Sequence, residues 1–323
     1  CGPHPAATIK AITRVKDKRA ELNGERKIMT ATVSSDRISL SIERPALYVV
    51  ATPIGNLADL SYRAVTLLGQ MDMLLVEDSR TTRRLLEHYS IDVRLVALHE
   101  HNESQVLEVI LSKLASEQLA VALVSDAGTP LIADPGFRLV RAAHAENIPV
   151  LAVPGPCAAI AAMSIAGMPS DRFAFEGFLP PRKSARIRRL QLLRSETRTS
   201  IFYEAPHRIL ASITDMQAVF GDEREVTVGR ELTKLHETLY RGPLGSVVET
   251  MLLDENAARG EIVIVLAGAS DVDTDEAERK ALEMIEILSR QMPTANAIKL
   301  AAEWTGLKRN LLYRLAHDDA VSR

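Results

Sequence analysis

The chain has 323 residues, 39 Lys and Arg against 42 Asp and Glu, a formal net charge of −3 and a hydrophobic fraction of 46%. This describes a globular chain long enough for two domains, and near-neutrality means that any polyanion must be met by a local patch. Cys1 and Cys157 are the only cysteines, too few for a disulfide framework and in keeping with a reducing cytosol, and no apolar run reaches the ~18 residues of a membrane span.

Residues 1–44 are rich in charge and weak in periodicity, and they lack the apolar stretch of a signal peptide. We expect disorder through about Arg44, with Met29 as a plausible start.

A regular alternation then begins. LYVVAT reads as a strand, 60–68 as a helix, MLLVED as a strand and 82–89 as a helix. RLVALH, a helix over 103–116, AVALVSDAGTP, a helix over 137–146, PVLAVPGP and a helix over 157–166 follow. The pattern predicts an α/β domain over 45–167 with a largely parallel sheet. Ligands of such sheets bind beyond the carboxyl ends of the strands. ATPIGN (51–56), EDSR (77–80), HEHNE (99–103) and SDAGTPLIADPG (125–136) all fall there.

A second, more mixed α/β domain is expected over 168–270. It holds FAFEGF, a basic helix, TSIFYEAPHR, a helix over 209–219, REVTVGREL, KLHETLYRGPL, a helix over 245–253 and GEIVIVLAG. ASDVDTDEAE reads as an acidic linker ending near Glu278. Residues 278–323 read as a small helix-turn-helix-like module, broken at Pro293 and Gly306, with Thr294 as a cap and Trp304 in its core.

The Gly- and Pro-rich loops (ATPIGN, SDAGTPLIADPG, VPGPCAA at 153–159, YEAPHR at 203–208) let backbone approach a ligand closely. No G-x-G-x-x-G follows the first strand, and no phosphate-binding G-x-x-x-x-G-K-[ST], G-x-S-x-G elbow or zinc-ligand spacing occurs. No metal site is expected. His99 and His101 read more simply as a solvated or hydrogen-bonded pair.

Glu77, Asp78, Arg80, His99 and Glu103 gather at strand ends and are the candidate catalytic residues. A carboxylate, His or Lys there can accept a proton, and Arg80 can orient a phosphate. Asp78 and Arg80 read equally as an ion pair at a helix start, and Glu103 as a first-turn acid. Arg182, Lys183, Arg186, Arg188 and Arg189, with Lys308, Arg309 and Arg314, are the candidate phosphate-binding cations. A solvated helix face is the plainer reading of the first group, and a basic-decorated packing module that of the second.

ATPIGN, EDSRTT, SDAGTPLIADPG, VPGPCAA, YEAPHR and GREL-KLHET, in this order from about Leu47 onward, resemble the tetrapyrrole-methylase superfamily, and most closely its branch acting on ribosomal RNA. The resemblance implies two α/β domains with S-adenosyl-L-methionine in the cleft between them, followed by the C-terminal helical module. The implied activity is 2′-O-methylation of a cytidine ribose in the decoding region of small-subunit (16S) rRNA. The small ribosomal subunit is then the partner, in the cytoplasm, and the enzyme a homodimer. Ala51 and Asn56 stand where the corrin and sirohaem relatives carry Gly and Asp, which disfavours a tetrapyrrole substrate. The motif match assigns the donor to Ile54, Ala127, Gly128, Thr129, Ile132, Cys157, Ala158, Tyr203 or Glu204, Gly242, Gly260 and Glu261. The alternatives are a small-molecule tetrapyrrole methyltransferase and a non-catalytic RNA-binding protein.

Overall fold

The computed structural model describes residues 41–99, 103–269 and 271–321. Most of the expected N-terminal extension lies outside these residues. The described residues just before Pro45 are anchored: the Glu43 amide donates to the Tyr48 hydroxyl at 2.8 Å, and Arg44 pairs with Asp72.

The first sheet holds β1 (Ala46–Val50), β2 (Met73–Val76), β3 (Leu95–Ala97), β4 (Ala120–Leu123) and β5 (Val150–Val153), in the order β3-β2-β4-β1-β5. Every pairing is parallel. The central strands β1, β2 and β4 are apolar almost throughout, because both faces of the sheet are covered. On one face α1 (Tyr62–Leu68) and α2 (Ser79–His88) contribute Leu67, Leu68, Leu85 and Leu86. On the other, α3 (Glu103–Glu117) and α4 (Phe137–Ala145) contribute Ile110, Leu114 and Leu139. Ser61 and Asp78 accept backbone hydrogen bonds as the N-caps of α1 and α2.

The second sheet has the order β6-β7-β10-β8-β9. Its strands are β6 (Phe173–Phe178), β7 (Thr199–Glu204), β8 (Glu225–Arg230), β9 (Thr238–Pro243) and β10 (Ile262–Leu266). Only β6 and β7 are parallel, and the remaining pairs are antiparallel. One face is covered by α6 (Lys183–Leu192), α7 (Ile209–Phe220) and α8 (Leu244–Leu253). The other receives α5 (Ala158–Ala166) from the first half of the chain, whose Ala159, Ala162, Met163 and Ala166 pack on Ile201, Val263 and Val265. Alanines on this face let helix and sheet come close, so α5 ties the sheets together and places the ends of β4 and β1 beside the start of β10.

The expected acidic linker is not extended. Helix α9 (Asp271–Ser289) begins inside it. DVDTDEAE has neither Gly nor Pro to stop a helix, and acids at a helix start are favoured by its dipole. Helices α10 (Thr294–Thr305) and α11 (Arg309–Val321) complete the module around Ile285, Ile298, Ala301, Leu307 and Leu312. Thr294 occupies the first turn of α10 rather than capping it; Pro293 is the N-cap and no side chain caps it. Gly306 ends α10 at φ 74°. Trp304, expected in the core, is 80% exposed. The module lies against the second domain: a side chain at Gly306 would come within 3.3 Å of the Gln191 carbonyl of α6.

Candidate active site

A cavity of about 440 Å³ opens between the two sheets. Its apolar wall comes from Ile54, Ala127, Ile132, Ala158, Phe178 and Val263, and its polar groups from Glu77, Asp126, Thr129, Asp134 and Glu261. Loops from both sheets frame it. The ATPIGN and SDAGTP loops are clamped backbone to backbone, with Thr52 N donating to Gly128 O at 2.8 Å and Gly128 N to Thr52 O at 3.1 Å. Thr129 Oγ1 donates to the Pro156 carbonyl at 2.9 Å, which ties in the VPGP loop. Gly128 sits at φ 87° with Ile54 Cγ2 only 3.3 Å from where a Cβ would lie, so its backbone faces the cavity with no side chain in the way. The lining loop at Gly260 is as tightly specified: at φ 76°, a Cβ there would meet the Glu231 carboxylate within 2.4 Å.

Three of the lining carboxylates, Glu77, Asp126 and Asp134, act electrostatically on one another. Burial pushes the Asp134 carboxyl up to about 6, and the neighbouring Glu77 adds to the effect. Glu77 is raised by desolvation and then by Asp126, and Asp126 is raised by its own burial. Among the described residues no three His, Cys, Asp or Glu side chains are arranged to hold a metal ion.

Of the sequence-assigned donor residues, Ile54, Ala127, Gly128, Thr129, Ile132, Ala158, Tyr203, Glu204, Gly260 and Glu261 all line this cavity. Gly242 does not: it pairs with Val226 on the edge strand β9, at the far end of the sheet from Gly260. Cys157 is not on the wall either; it is the N-cap of α5, and the wall residue is its neighbour Ala158. Tyr203 and Glu204 are engaged elsewhere. The Tyr203 hydroxyl accepts from the Ala159 amide at 3.1 Å and so supplies the cap that α5 lacks; burial, reinforced by Cys157, pushes its phenol upward. The Glu204 carboxylate is fully buried and taken up by Arg208 at 2.8 Å, Ser212 at 2.5 Å and the Ala205 amide at 2.8 Å. It shapes the YEAPHR turn instead of offering a free charge.

Of the candidate catalytic residues whose side chains are described, only Glu77 lines the cavity. Asp78 and Arg80 form the ion pair that the plainer reading allowed. Asp78 Oδ1 accepts from the Arg80 amide at 2.8 Å and Oδ2 from Arg80 Nη2 at 2.8 Å, which holds the Asp78 carboxyl down to about 2. Arg80 leaves 88% of its side chain in solvent. His99 follows β3 on the surface, outside the cavity wall. The Glu103 side chain and His101 lie outside the described residues. Sequence reasoning passes over Asp126 and Asp134, although both stand in the SDAGTPLIADPG segment. The alternation signal places the loop, but not which of its side chains turn inward.

The basic run of α6 divides. Arg182 and Arg188 are exposed, and Lys183 is 74% exposed with only a 3.8 Å contact to Asp215. Arg189 pairs with Glu176. Arg186 is withdrawn from the surface: it is 4% exposed and bonds Asp215 through Nε at 2.8 Å and Nη2 at 2.6 Å. It therefore belongs to the packing of α6 on α7 and is not available to RNA. Lys308, Arg309 and Arg314 are exposed, and Lys308 acts electrostatically on Glu196, in the turn after α6. Lys308 thus lies towards the C-terminal end of α6.

Residues 46–248 match the family model of tetrapyrrole (corrin/porphyrin) methylases, and residues 273–320 match that of the RsmI C-terminal HTH domain. Ribosomal RNA small subunit methyltransferase I of Vibrio cholerae is 46% identical over 84% of this chain and 93% of its own length. The protein of the same name from Xylella fastidiosa (strain Temecula1) is 50% identical over 83% of this chain and 97% of its own. Among solved structures, a cobalt precorrin-4 methyltransferase of cobalamin biosynthesis superposes with a TM-score of 0.53 at 15% identity, over 69% of this chain and 95% of that one, a likeness of fold alone. With its two α/β sheets, its cleft of glycine loops and its C-terminal helices, the chain belongs to the tetrapyrrole methylase family, and within it to the methyltransferases that share the small subunit methyltransferase I sequence.

Proposed function

We propose that the protein transfers the methyl group of S-adenosyl-L-methionine to the 2′-oxygen of a cytidine ribose in the decoding region of small-subunit (16S) rRNA. The observation that carries this reading is the pairing of a donor-sized cavity with exposed cations on α6 and on the C-terminal helices. The cavity volume lies within the ~300–1,000 Å³ typical of small-ligand sites. The side-chain-free approach at Gly128, the apolar wall and the polar lining groups fit a nucleoside with a charged tail. Ile54, Ala127, Gly128, Thr129, Ile132 and Ala158 would hold the donor.

When bound, the donor supplies an electrophilic sulfonium methyl. The chain's own residues then have modest tasks. The clamped loops fix the position of the reacting centre, which is where most of the gain in an in-line displacement arises. The cavity carboxylates favour a cationic ligand and offer acceptors for a ribose proton. Arg182, Lys183, Arg188, Lys308, Arg309 and Arg314 grip phosphates. On this reading the protein works in the cytoplasm with its substrate, and as a homodimer. Sedimentation at micromolar concentration tests the assembly.

The test of function is methyl transfer from labelled donor to unmethylated small subunits, naked 16S rRNA and uroporphyrinogen, with mass spectrometry of nuclease digests. 2′-O-methylcytidine from the decoding region supports the reading. Label in the tetrapyrrole, or in no acceptor, refutes it.

A further inference from the structure

A second cavity, of about 380 Å³, adjoins the donor cavity, and the two share Ile54, Asp126, Ala127 and Glu261. Its other walls come from the ATPIGN loop, from Thr81, Thr82 and Arg84 on α2, and from Lys234 on the loop between β8 and β9. Two features mark it as a binding site. Thr82 is 4% exposed, yet its Oγ1 has no hydrogen-bond partner. A buried unpaired hydroxyl is destabilising, and a ligand oxygen would satisfy it. Arg84 is exposed, with no ion pair or hydrogen bond among the described residues, and it also borders a shallow basic depression with Arg80 and Arg83. Lys234 is drawn into the wall because its stem lies against Gly55, where a Cβ would meet Lys234 Cγ at 2.3 Å. Its ammonium is held by Glu231 at 2.7 Å and Glu261 at 3.3 Å.

Asp126 stands between the two cavities. Among the donor-cavity carboxylates, Glu77 and Asp134 do not reach the second cavity, Glu204 is enclosed by Arg208 and Ser212, and Glu261 faces Lys234. Asp126 lines both and pairs with no cation among the described residues. Its Oδ1 accepts the Asp78 amide at 3.0 Å, which fixes the carboxylate and leaves Oδ2 open.

We propose that this second cavity is the acceptor-nucleotide subsite, with Thr82 bonding the target ribose, Arg84 holding its phosphate, and Asp126 receiving the 2′-hydroxyl proton. The inference rests on the rRNA-methylation reading above. Asp126 takes the proton as the ribose oxygen bonds the methyl carbon. The methyl–sulfur bond breaks with its electron pair kept on sulfur, giving a neutral thioether, and the proton then passes to water. The phosphate backbone runs out along Arg80 and Arg83.

Three variants test it on unmethylated small ribosomal subunits, with subunit binding, donor calorimetry, thermal melting and kcat and KM all measured. Thr82→Val is isosteric and removes the orphaned hydroxyl, so it folds at least as stably as the wild type and binds donor equally. Its subunit affinity falls about five-fold, the scale of a single hydrogen bond. Arg84→Gln weakens subunit binding and lowers its log–log salt slope by about 0.7–0.9. Asp126→Asn keeps the Asp78 hydrogen bond, binds donor and subunit, and loses about 10²–10⁴-fold in kcat. Wild-type subunit affinity in both Thr82→Val and Arg84→Gln overturns the subsite. Unchanged kcat in Asp126→Asn, or loss of donor binding there, overturns the role of Asp126. A wild-type protein that methylates no rRNA overturns the parent reading; an active wild type with indifferent variants overturns this inference alone.

Discussion

Replacing Arg186 by Ala strands a buried carboxylate. The Arg186 side chain is only 5% exposed and that of its partner Asp215 only 7%. In the variant, Asp215 stays buried with Lys183 Nζ at 3.8 Å as its remaining cation. Removing one partner of a buried ion pair costs about 3–5 kcal/mol. Lys183 is largely in solvent, so the compensation it gives is at most ~1 kcal/mol. A net loss of about 3 kcal/mol is a large part of the ~5–15 kcal/mol that holds a typical domain. Urea denaturation followed by circular dichroism measures it, and the double variant Arg186→Met, Asp215→Leu recovers most of the loss because no charge is then stranded. Subunit binding by any folded fraction keeps its salt slope. Replacing Arg182, Lys183 and Arg188 together by Ala does the reverse: stability holds, and the slope falls by up to about 0.7–0.9 for each phosphate no longer neutralised. An Arg186→Ala protein of undiminished stability with a reduced salt slope would refute the assignment and return Arg186 to the RNA face.

Gly128→Val places a β-branched side chain at φ 87° against Ile54; it costs about 1–3 kcal/mol of stability and abolishes donor binding by calorimetry, and normal donor affinity in the folded variant would remove this loop from the site. Asp134 has a folded pKa of about 6 against an ordinary value of 3.8. The folded state therefore holds the proton more tightly, and stability falls as pH rises between these values. Asp134→Asn is then more stable than wild type by roughly 1–2 kcal/mol at pH ~7.5, discounted for solvent screening, with no advantage near pH ~3.5; equal urea midpoints at the higher pH would contradict the burial of this carboxylate. Removal of α9, α10 and α11 by truncation after Ala269 leaves donor affinity unchanged and lowers subunit affinity and methylation; loss of donor affinity would show that these helices support the donor cavity itself.

The alternation of apolar runs and helical stretches was legible because parallel strands buried on both faces read as unbroken Val, Leu and Ala segments. The glycine loops on the cavity wall were legible for another reason: Gly128 and Gly260 occupy backbone conformations that few other residues adopt. What the sequence hid was side-chain direction. Arg186 and Arg188 are two residues apart on one helix, and only the turn of α6 against α7 decides that one is buried and the other exposed. Asp126 and Asp134 sit in a segment marked by its glycines, while their inward orientation depends on the clamp to Thr52 and the approach of Glu77. Trp304 reads as core by residue type; α10 instead buries its small face, Ala297, Ile298 and Ala301, and leaves the indole outside. The acidic stretch before α9 reads as a linker by composition, because charge density alone does not distinguish a solvated helix turn from extended chain.

The central claim is that one cavity holds the donor while the ribose of a small-subunit rRNA nucleotide is brought to it from the adjoining one. The most direct measurement is mass spectrometry of 16S rRNA from unmethylated small subunits incubated with the purified protein and S-adenosyl-L-methionine. The account predicts a single added methyl on the 2′-oxygen of a decoding-region cytidine, present with wild-type protein and absent with Gly128→Val. A methyl on a base, a methyl outside the decoding region, or no methylated nucleotide at all would contradict it.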